Sequence, residues 1–519
     1  MAALTVLVLL AAGCGSTPAP TVVPAAATAS ETAGPSPTAA PTTEPTPTPT
    51  ATPVLVPLVP VTGFWSDRVS ISRADLAAAL AGTTATGAGD GSLLVSDADL
   101  APLAAALGVA PGGGVRALPA ADITAALATT PGAIGVIRAA DVGPGVHALE
   151  VDGLSLFGEH RIADPATWPL LVPEAPGTVS AFDPASLWTL AAGGDVMLDR
   201  WPYRRAVLDG LGPDYPWAGG TAVVTSRYCC GWPGLRLANG KSTGGAGAFA
   251  SLFRDADVGL VNLEGPAPDA FSYHQGTLLF TMDPALLVGL AHAGIDVVSL
   301  ANNHTYNAGA KGLADTVRNL DAAGIGHMGA GANAAAARAP AWLTAGGLRI
   351  AILGYNGIDT SFDATATKAG AALLAEDAMV ADVKAARAAG ADVVVVVPHW
   401  GVEYTDVVSA AQRRLARAVI AAGADVILGS HSHWAGPLEI VDGHLVVYSF
   451  GDLVFDLGHD ERTQEAMVAE LTFAGRRLVQ VTLHPTLILD RSQPNLLEPA
   501  GGGTALMTAI AAGSARLTP

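Results

Sequence analysis

Five apolar runs from residue 189 onward each close on side chains that can hold a metal ion. Asp195 ends the first, in TLAAGGDVML (189–198), and Asn262 and Glu264 end the second, in ADVGLVNLE (256–264). Asn303 and His304 close IDVVSLANNH (295–304), His399 closes ADVVVVVPHW (391–400), and His431 and His433 close ADVILGSHSH (424–433). Imidazole, carboxylate and amide oxygen together suit Zn, Mn or Fe in a mixed nitrogen and oxygen site. A His-x-His pair on a loop can turn both rings into one cavity. Each group alone has an ordinary explanation: an Asp after a strand is commonly a turn or helix cap, and Asn-Asn-His commonly a loop. All five in one region, each after a β run, point to a single centre.

Such groups converge when they sit at the carboxyl ends of neighbouring strands in an α/β sheet. The texture from Thr189 fits that requirement. The five runs and LRIAILGYN (348–356) read as strands. GAKGLADTVRNLDAAG (309–324), DAMVADVKAARAAG (377–390) and AAQRRLARAVIAAG (410–423) read as helices, the last with Leu415, Val419 and Ile420 on one stripe. LEIVDGHLVVYSFG (438–451) reads as a hairpin turning at Asp442-Gly443, and two more strands follow near 466–474 and 477–484. Strand and helix alternation predicts a layered α/β fold, with mixed strand directions from the closing hairpins. Residues 63–183 read as a separate small α/β domain, and 491–519 as a Gly/Ala-rich tail. In the small domain, PGAIGVI (131–137) and WPLLVP (168–173) faintly resemble part of a phosphate-type solute-binding protein; a spacer or protein-contact domain is an equal alternative.

The chain has 519 residues, half of them hydrophobic and 14% charged, so a large core is easily built. Its net charge of -19 argues against a nucleic-acid partner. Residues 1–13 read as a signal peptide ending in Ala11-Ala12-Gly13 before Cys14, a pattern that resembles a bacterial lipobox. Residues 14–62 hold 12 of the 36 prolines among Thr and Ala and read as an extended tether. Together these predict an extracytoplasmic lipoprotein anchored to the membrane through Cys14. Cys229 and Cys230 are adjacent and are candidates for a vicinal disulfide in an oxidising compartment, or are two loop thiols. The aromatic-rich insertion from Trp201 to Trp232 could be a lid over the site or a satellite core.

The motifs GDVML, NLEGP, SLANNH, HWGVEY, GSHSHW and YSFGDLVFD (448–456) resemble those of the CapA family of poly-γ-glutamate capsule synthesis proteins, a branch of the calcineurin-like metallophosphoesterases. The resemblance spans about 189–460 and implies a CapA-like domain over 186–490, with a four-layer α/β/β/α sandwich. It implies a dinuclear centre of Mn, Zn or Fe, with Asp195 and His433 on one ion, Asn303, His399 and His431 on the other, and Glu264 bridging. His304 would then be the general acid, with Asn262, Glu403 and Asp452 as supporting groups. The superfamily's usual Asp-x-His is here Asp195-Val196-Met197, so one imidazole is replaced by a thioether. The implied function is capsule or polyglutamate biosynthesis, with metal-dependent hydrolysis of a phosphoester or envelope polymer. The alternatives are a non-catalytic accessory protein that guides an anionic polymer beside capsule synthesis and export proteins, or regulation by residues 63–183 as a ligand sensor.

Overall fold

A computed structural model describes residues 54–83, 93–174, 182–228 and 237–517. Two β-sheets pack face to face, and the period of two along each strand decides which side chains lie between them. In the Leu187–Val196 strand, Trp188, Leu190 and Ala192 face the second sheet while Ala191 faces outward. In the Val393–His399 strand, Val393, Val395 and Val397 face inward and Val394 and Val396 outward. Continuous apolar runs are what strands covered on both faces require. Trp188 stacks on Phe473 inside this layer, with ring centroids 4.3 Å apart.

Among the described residues the first sheet has ten strands. Its site-bearing part runs Leu187–Val196, Val258–Leu263, Val297–Ser299 and Gly326–Met328, all parallel, with Glu465–Ala474 antiparallel on the other side of Leu187–Val196. The second sheet has six strands among the described residues, with a parallel centre of Leu348–Asn356, Val393–His399, Val426–Leu428 and His444–Val447. Leu438–Val441 and His444–Val447 pair antiparallel about the expected turn at Asp442-Gly443. Helices Ala248–Arg254, Leu287–His292 and Gly309–Ala323 cover the first sheet with Phe249, Phe253, Leu290, Leu313 and Leu320. Helices Glu376–Ala388 and Ala410–Ala422 cover the second with Met379, Val383, Leu415, Val419 and Ile420. The result is the expected four-layer α/β/β/α sandwich.

Two expected boundaries are corrected. The tether read as running to residue 62 gives way at Val54 to the strand Val54–Gly63, in which Leu58, Val59 and Val61 are fully buried. Proline is rare inside a sheet because it lacks a donor. Here the strand changes neighbours along its length, pairing Leu171–Glu174 through Val54–Pro57 and Val146–Ala148 through Val61–Gly63, so Pro57 and Pro60 flank the changeover. The segment 491–519, read as a Gly/Ala-rich tail, holds the strand Gln493–Leu496 and the helix Thr504–Ala515. Leu506 and Ile510 of that helix enter the core between the two sheets, and Ser514 Oγ accepts a hydrogen bond from the Leu438 amide.

The small sheet, six strands built around Val54–Gly63, packs on the sandwich through a core that takes in Leu187 and Val479. Glu159 lies at this seam. Its amide donates to Glu470, and burial, with Glu470, Asp255 and Asp257 nearby, pushes its carboxyl up to about 9. A carboxyl raised in the folded state opposes folding once the unfolded chain ionises, from about pH 4.5 upward, with the penalty complete near pH 9. Glu159→Gln is therefore expected to raise the melting temperature at pH 7–8 and to leave it unchanged at pH 4, as checked by thermal scans across pH.

Candidate metal centre

The parallel strands deliver their carboxyl ends to one place. Gly194 allows this: a Cβ there would stand 1.9 Å from the Gly451 carbonyl, so only glycine lets the Asp195 strand lie against the Asp452 strand. Asp195 is fully buried; one oxygen accepts from Asn262 Nδ2 (2.7 Å) and the other from the His431 amide (3.2 Å). Asn262 also lies 3.3 Å from His399 Nδ1 and accepts from Asn302, which bonds the Leu263 carbonyl as well. This amide network ties the first sheet's ligand-bearing loops together.

Asp195, Glu264 and His433 present ligand atoms within 4.8 Å of one another. His433 donates from Nδ1 to Asp452 (2.7 Å), which leaves Nε2 free, the usual carboxylate support for a metal-binding histidine. Beside them His399 Nε2 lies 2.9 Å from Asn303 Oδ1 and 3.1 Å from His431 Nδ1, while Ser430 Oγ lies 2.9 Å from His399 Nδ1. His304 Nε2 is 3.7 Å from Glu264, its Nδ1 is 3.0 Å from Asn307 Nδ2, and its ring stacks on Phe280 at 4.0 Å.

The electrostatics call for positive charge. Asp195, Glu264 and Asp452 are all at 0% exposure. Burial raises all three carboxyls, Asp452 to about 7, and Asp195 raises Glu264 further. Burial alone would depress His433, but Asp452, Glu264 and Asp195 overcome it and push it up to about 10. Burial holds His399 far below the usual imidazole range and His431 at about 3, so their ring nitrogens are neutral donors for a metal. Among the described residues, both Glu264 oxygens and Asp452 Oδ2 find no hydrogen-bond partner. Buried carboxylate oxygens are rarely left unsatisfied, and a cation would satisfy these. The residues present therefore fit divalent metal.

The structure thus gathers Asp195, Asn262, Glu264, Asn303, His304, His399, His431, His433 and Asp452. Glu403 is a correction: it is exposed, and Ser430 and Asp452 are the groups on the Nδ1 atoms of His399 and His433. Cys14, Cys229 and Cys230 lie outside the described residues. Met197 is fully buried with Phe280, Phe455 and Ile488, and its sulfur accepts from the Asp199 amide, so the thioether packs rather than ligates.

Sequence reasoning missed Asn302, Asn307, Ser430 and Arg200. Asn302 and Ser430 adjoin the candidate ligands Asn303 and His431, and Asn307 lies three residues past His304; that closeness in sequence was the available signal. Arg200 immediately precedes the aromatic-rich insertion, in which Trp217 joins a core beside Phe249. The Arg200 guanidinium lies over Phe280 and Phe455, the rings that contact His304 and His433, and pairs with Asp456 (2.6 Å). Arg200, Tyr404, His431 and His433 all hold positive φ (49°, 56°, 102° and 58°). Strain of this kind concentrates at functional sites.

A family model described as "Bacterial capsule synthesis protein PGA_cap" matches residues 189–457, a little over half of the chain, and the chain belongs to that family. It is 34% identical over 180 residues to the capsule biosynthesis protein CapA of Bacillus anthracis, covering 34% of this chain and 44% of that one. It is 32% identical over 225 residues to the PGA biosynthesis protein CapA of Bacillus subtilis (strain 168), covering 42% and 58%. The chain thus spans about half the length of these relatives. Among solved structures it is similar to a 5'-nucleotidase precursor from Thermus thermophilus, at 19% identity, a TM-score of 0.36 and coverage of 64% and 59%, a likeness too slight to carry an argument.

The crowded carboxylates make a direct expectation. Burial keeps Glu264 raised, so it opposes folding of the metal-free protein at neutral pH, and the penalty disappears below its unfolded value. Glu264→Gln is expected to raise the melting temperature of the chelator-treated protein at pH 7 and to abolish the further rise that Mn²⁺ gives the native sequence. Calorimetry with and without metal checks both.

Proposed function

We propose that this protein is a metal-dependent hydrolase of capsule or poly-γ-glutamate biosynthesis, acting on a phosphoester or an anionic envelope polymer. The observation that carries this reading is the pair of candidate ligand sets, Asp195/Glu264/His433 and Asn303/His399/His431, which meet through Asn262, beside a buried Glu264 carboxyl with no hydrogen-bond partner among the described residues. Its two sets suit two divalent ions. Bound divalent cations would supply Lewis acidity and a water acidic enough to ionise near neutral pH.

The chain's own residues set up the rest. Asp195 and His433 are held by Asn262 and Asp452, so neither ligand has to reorganise. Burial, His433 and Arg200 push the His304 imidazole down to about 3, so the ring is neutral. Asn307 occupies Nδ1, which places the ring hydrogen on Nε2, facing Glu264. His304 donates that hydrogen bond to the leaving oxygen and holds it in line. This reading also puts the protein outside the cytoplasmic membrane, tethered at Cys14, on the strength of the lipobox-like sequence.

His399→Ala or His431→Ala is expected to lower metal content, measured by elemental analysis, with the fold retained by circular dichroism. His304→Ala is expected to keep its metal and lose roughly 10²- to 10⁴-fold in turnover of a chromogenic phosphodiester. Native metal stoichiometry in both ligand variants, or native turnover in His304→Ala, would overturn the proposal.

A further inference from the structure

The segment 271–283, which carries Phe280 against His304, has neither helix nor strand. Backbone groups outside helices and ladders must find other partners. Two adjacent residues, Asp199 and Arg200, supply several of them just past the strand that bears Asp195. The fully buried Asp199 carboxylate accepts from the amides of His274 (3.1 Å) and Thr281 (2.9 Å), and lies 2.5 Å from His274 Nδ1. Arg200 Nη1 donates to the Thr277 carbonyl (3.2 Å), between those two points. The segment is thus clasped at 274, 277 and 281 to the chain that leads out of Leu187–Val196.

Arg200 then reaches on to the rings. Its Cζ lies 5.2 Å from the Phe280 centroid and 5.6 Å from that of Phe455; the two rings stand at 89° with centroids 6.1 Å apart. A guanidinium over an aromatic face is attracted by the ring quadrupole, most strongly where water is excluded. The Arg200 side chain is 11% exposed; Nε and Nη2 are buried, Nη2 against Asp456, and Nη1 is engaged by Thr277. Its donors are turned to protein rather than to a substrate.

The two histidines beyond the rings differ in what holds them. Asp452 fixes His433 through a 2.7 Å contact at Nδ1. His304 has no carboxylate within hydrogen-bond reach, since Glu264 stands 3.7 Å away. Its ring is held by Asn307 at Nδ1 and by Phe280, with centroids 4.0 Å apart. Asn307 in turn donates to the Phe280 carbonyl (3.2 Å). Both supports of His304 lead back to Phe280, and Phe280 leads back to Arg200.

We propose that Arg200 is a positioning residue: through Phe280 it holds the His304 ring at the angle from which Nε2 meets the leaving oxygen. This role rests on the hydrolase reading. A misaligned reacting group slows the chemical step even when substrate binding is untouched.

Turnover of a chromogenic phosphodiester by the full-length, metal-loaded protein is compared for the native sequence, Arg200→Met, His304→Ala and the double variant. Arg200→Met keeps an apolar stem beside the rings and removes the cation. It is expected to lower kcat about tenfold to a hundredfold, with KM and metal content unchanged. In the His304→Ala background the same substitution is expected to have no further effect, because Arg200 acts through the ring already removed. A loss that adds in full to that of His304→Ala marks a merely structural role, and a raised KM at native kcat marks a substrate ligand; either overturns the proposal. Arg200→Lys keeps the cation without the fork to Asp456 and Thr277, and is expected to fall between Arg200→Met and the native protein. The same comparisons apply to it, so a methionine variant that fails to fold still leaves a decisive test. A readout without turnover follows the ring carbons of isotope-labelled histidine by nuclear magnetic resonance. Arg200→Met is expected to move or split the His304 signal and to leave that of His444, whose Nδ1 lies 3.0 Å from the Asp425 carbonyl, in place. An unmoved His304 signal overturns the proposal. A moved signal in a native protein that shows no turnover defeats the hydrolase reading and not the coupling of Arg200 to His304, so the two failures are told apart.

Discussion

Three carboxylates, Asp195, Glu264 and Asp452, lie at zero exposure with a single raised imidazole, His433, among them. A charge moved from water to a protein interior is costly unless paired, and one imidazolium does not pair three carboxylates. The fold tolerates this group because packing on all sides holds it, and because a cation would turn repulsion into coordination. Much of the surrounding geometry follows from that constraint: glycine at 194, left-handed backbone at His431 and His433, and asparagine amides at 262 and 302 bridging neighbouring loops.

The sandwich converts strand order into site geometry. Parallel strands point their carboxyl ends the same way, so residues more than a hundred positions apart meet at the same edge. Asn262 and His399 are 137 residues apart in sequence and lie within 3.3 Å. The two sheets contribute different chemistry: the first supplies the carboxylates and amides, and the second supplies two neutral histidines, His399 at the end of Val393–His399 and His431 on the loop after Val426–Leu428, with the raised His433 beside them. Burial depresses those histidines and raises the carboxyls, so the two halves of the site are tuned in opposite directions by the same desolvation. Met197 fits this division, since its side chain joins Phe280 and Phe455, the rings that line His304 and His433.

Most of the strands and helices from residue 189 onward were legible because apolar runs and a helical stripe are local signals. The candidate ligands were legible because each ends such a run. Val54–Gly63 was not, because its prolines imitate a linker and only its changing strand partners make them tolerable. The helix Thr504–Ala515 was not, because alanine and glycine carry little periodicity and its place is set by Leu506 and Ile510 entering a core made elsewhere. Glu403, carried over with the HWGVEY motif, does not bond His399, because a motif does not fix side-chain direction; it is exposed, while Ser430 from another strand end bonds that histidine.

By itself the sequence determined the layered α/β class, the ligand types and their place at strand ends, since these depend on residue type and short-range period. Only the tertiary structure decided which side chain supports which candidate ligand, that Glu264 has no hydrogen-bond partner among the described residues, and that Arg200 bridges the rings beside His304 and His433. Those facts depend on distances between residues far apart in the chain and on how much water each has lost, and neither quantity exists until the sheets have packed.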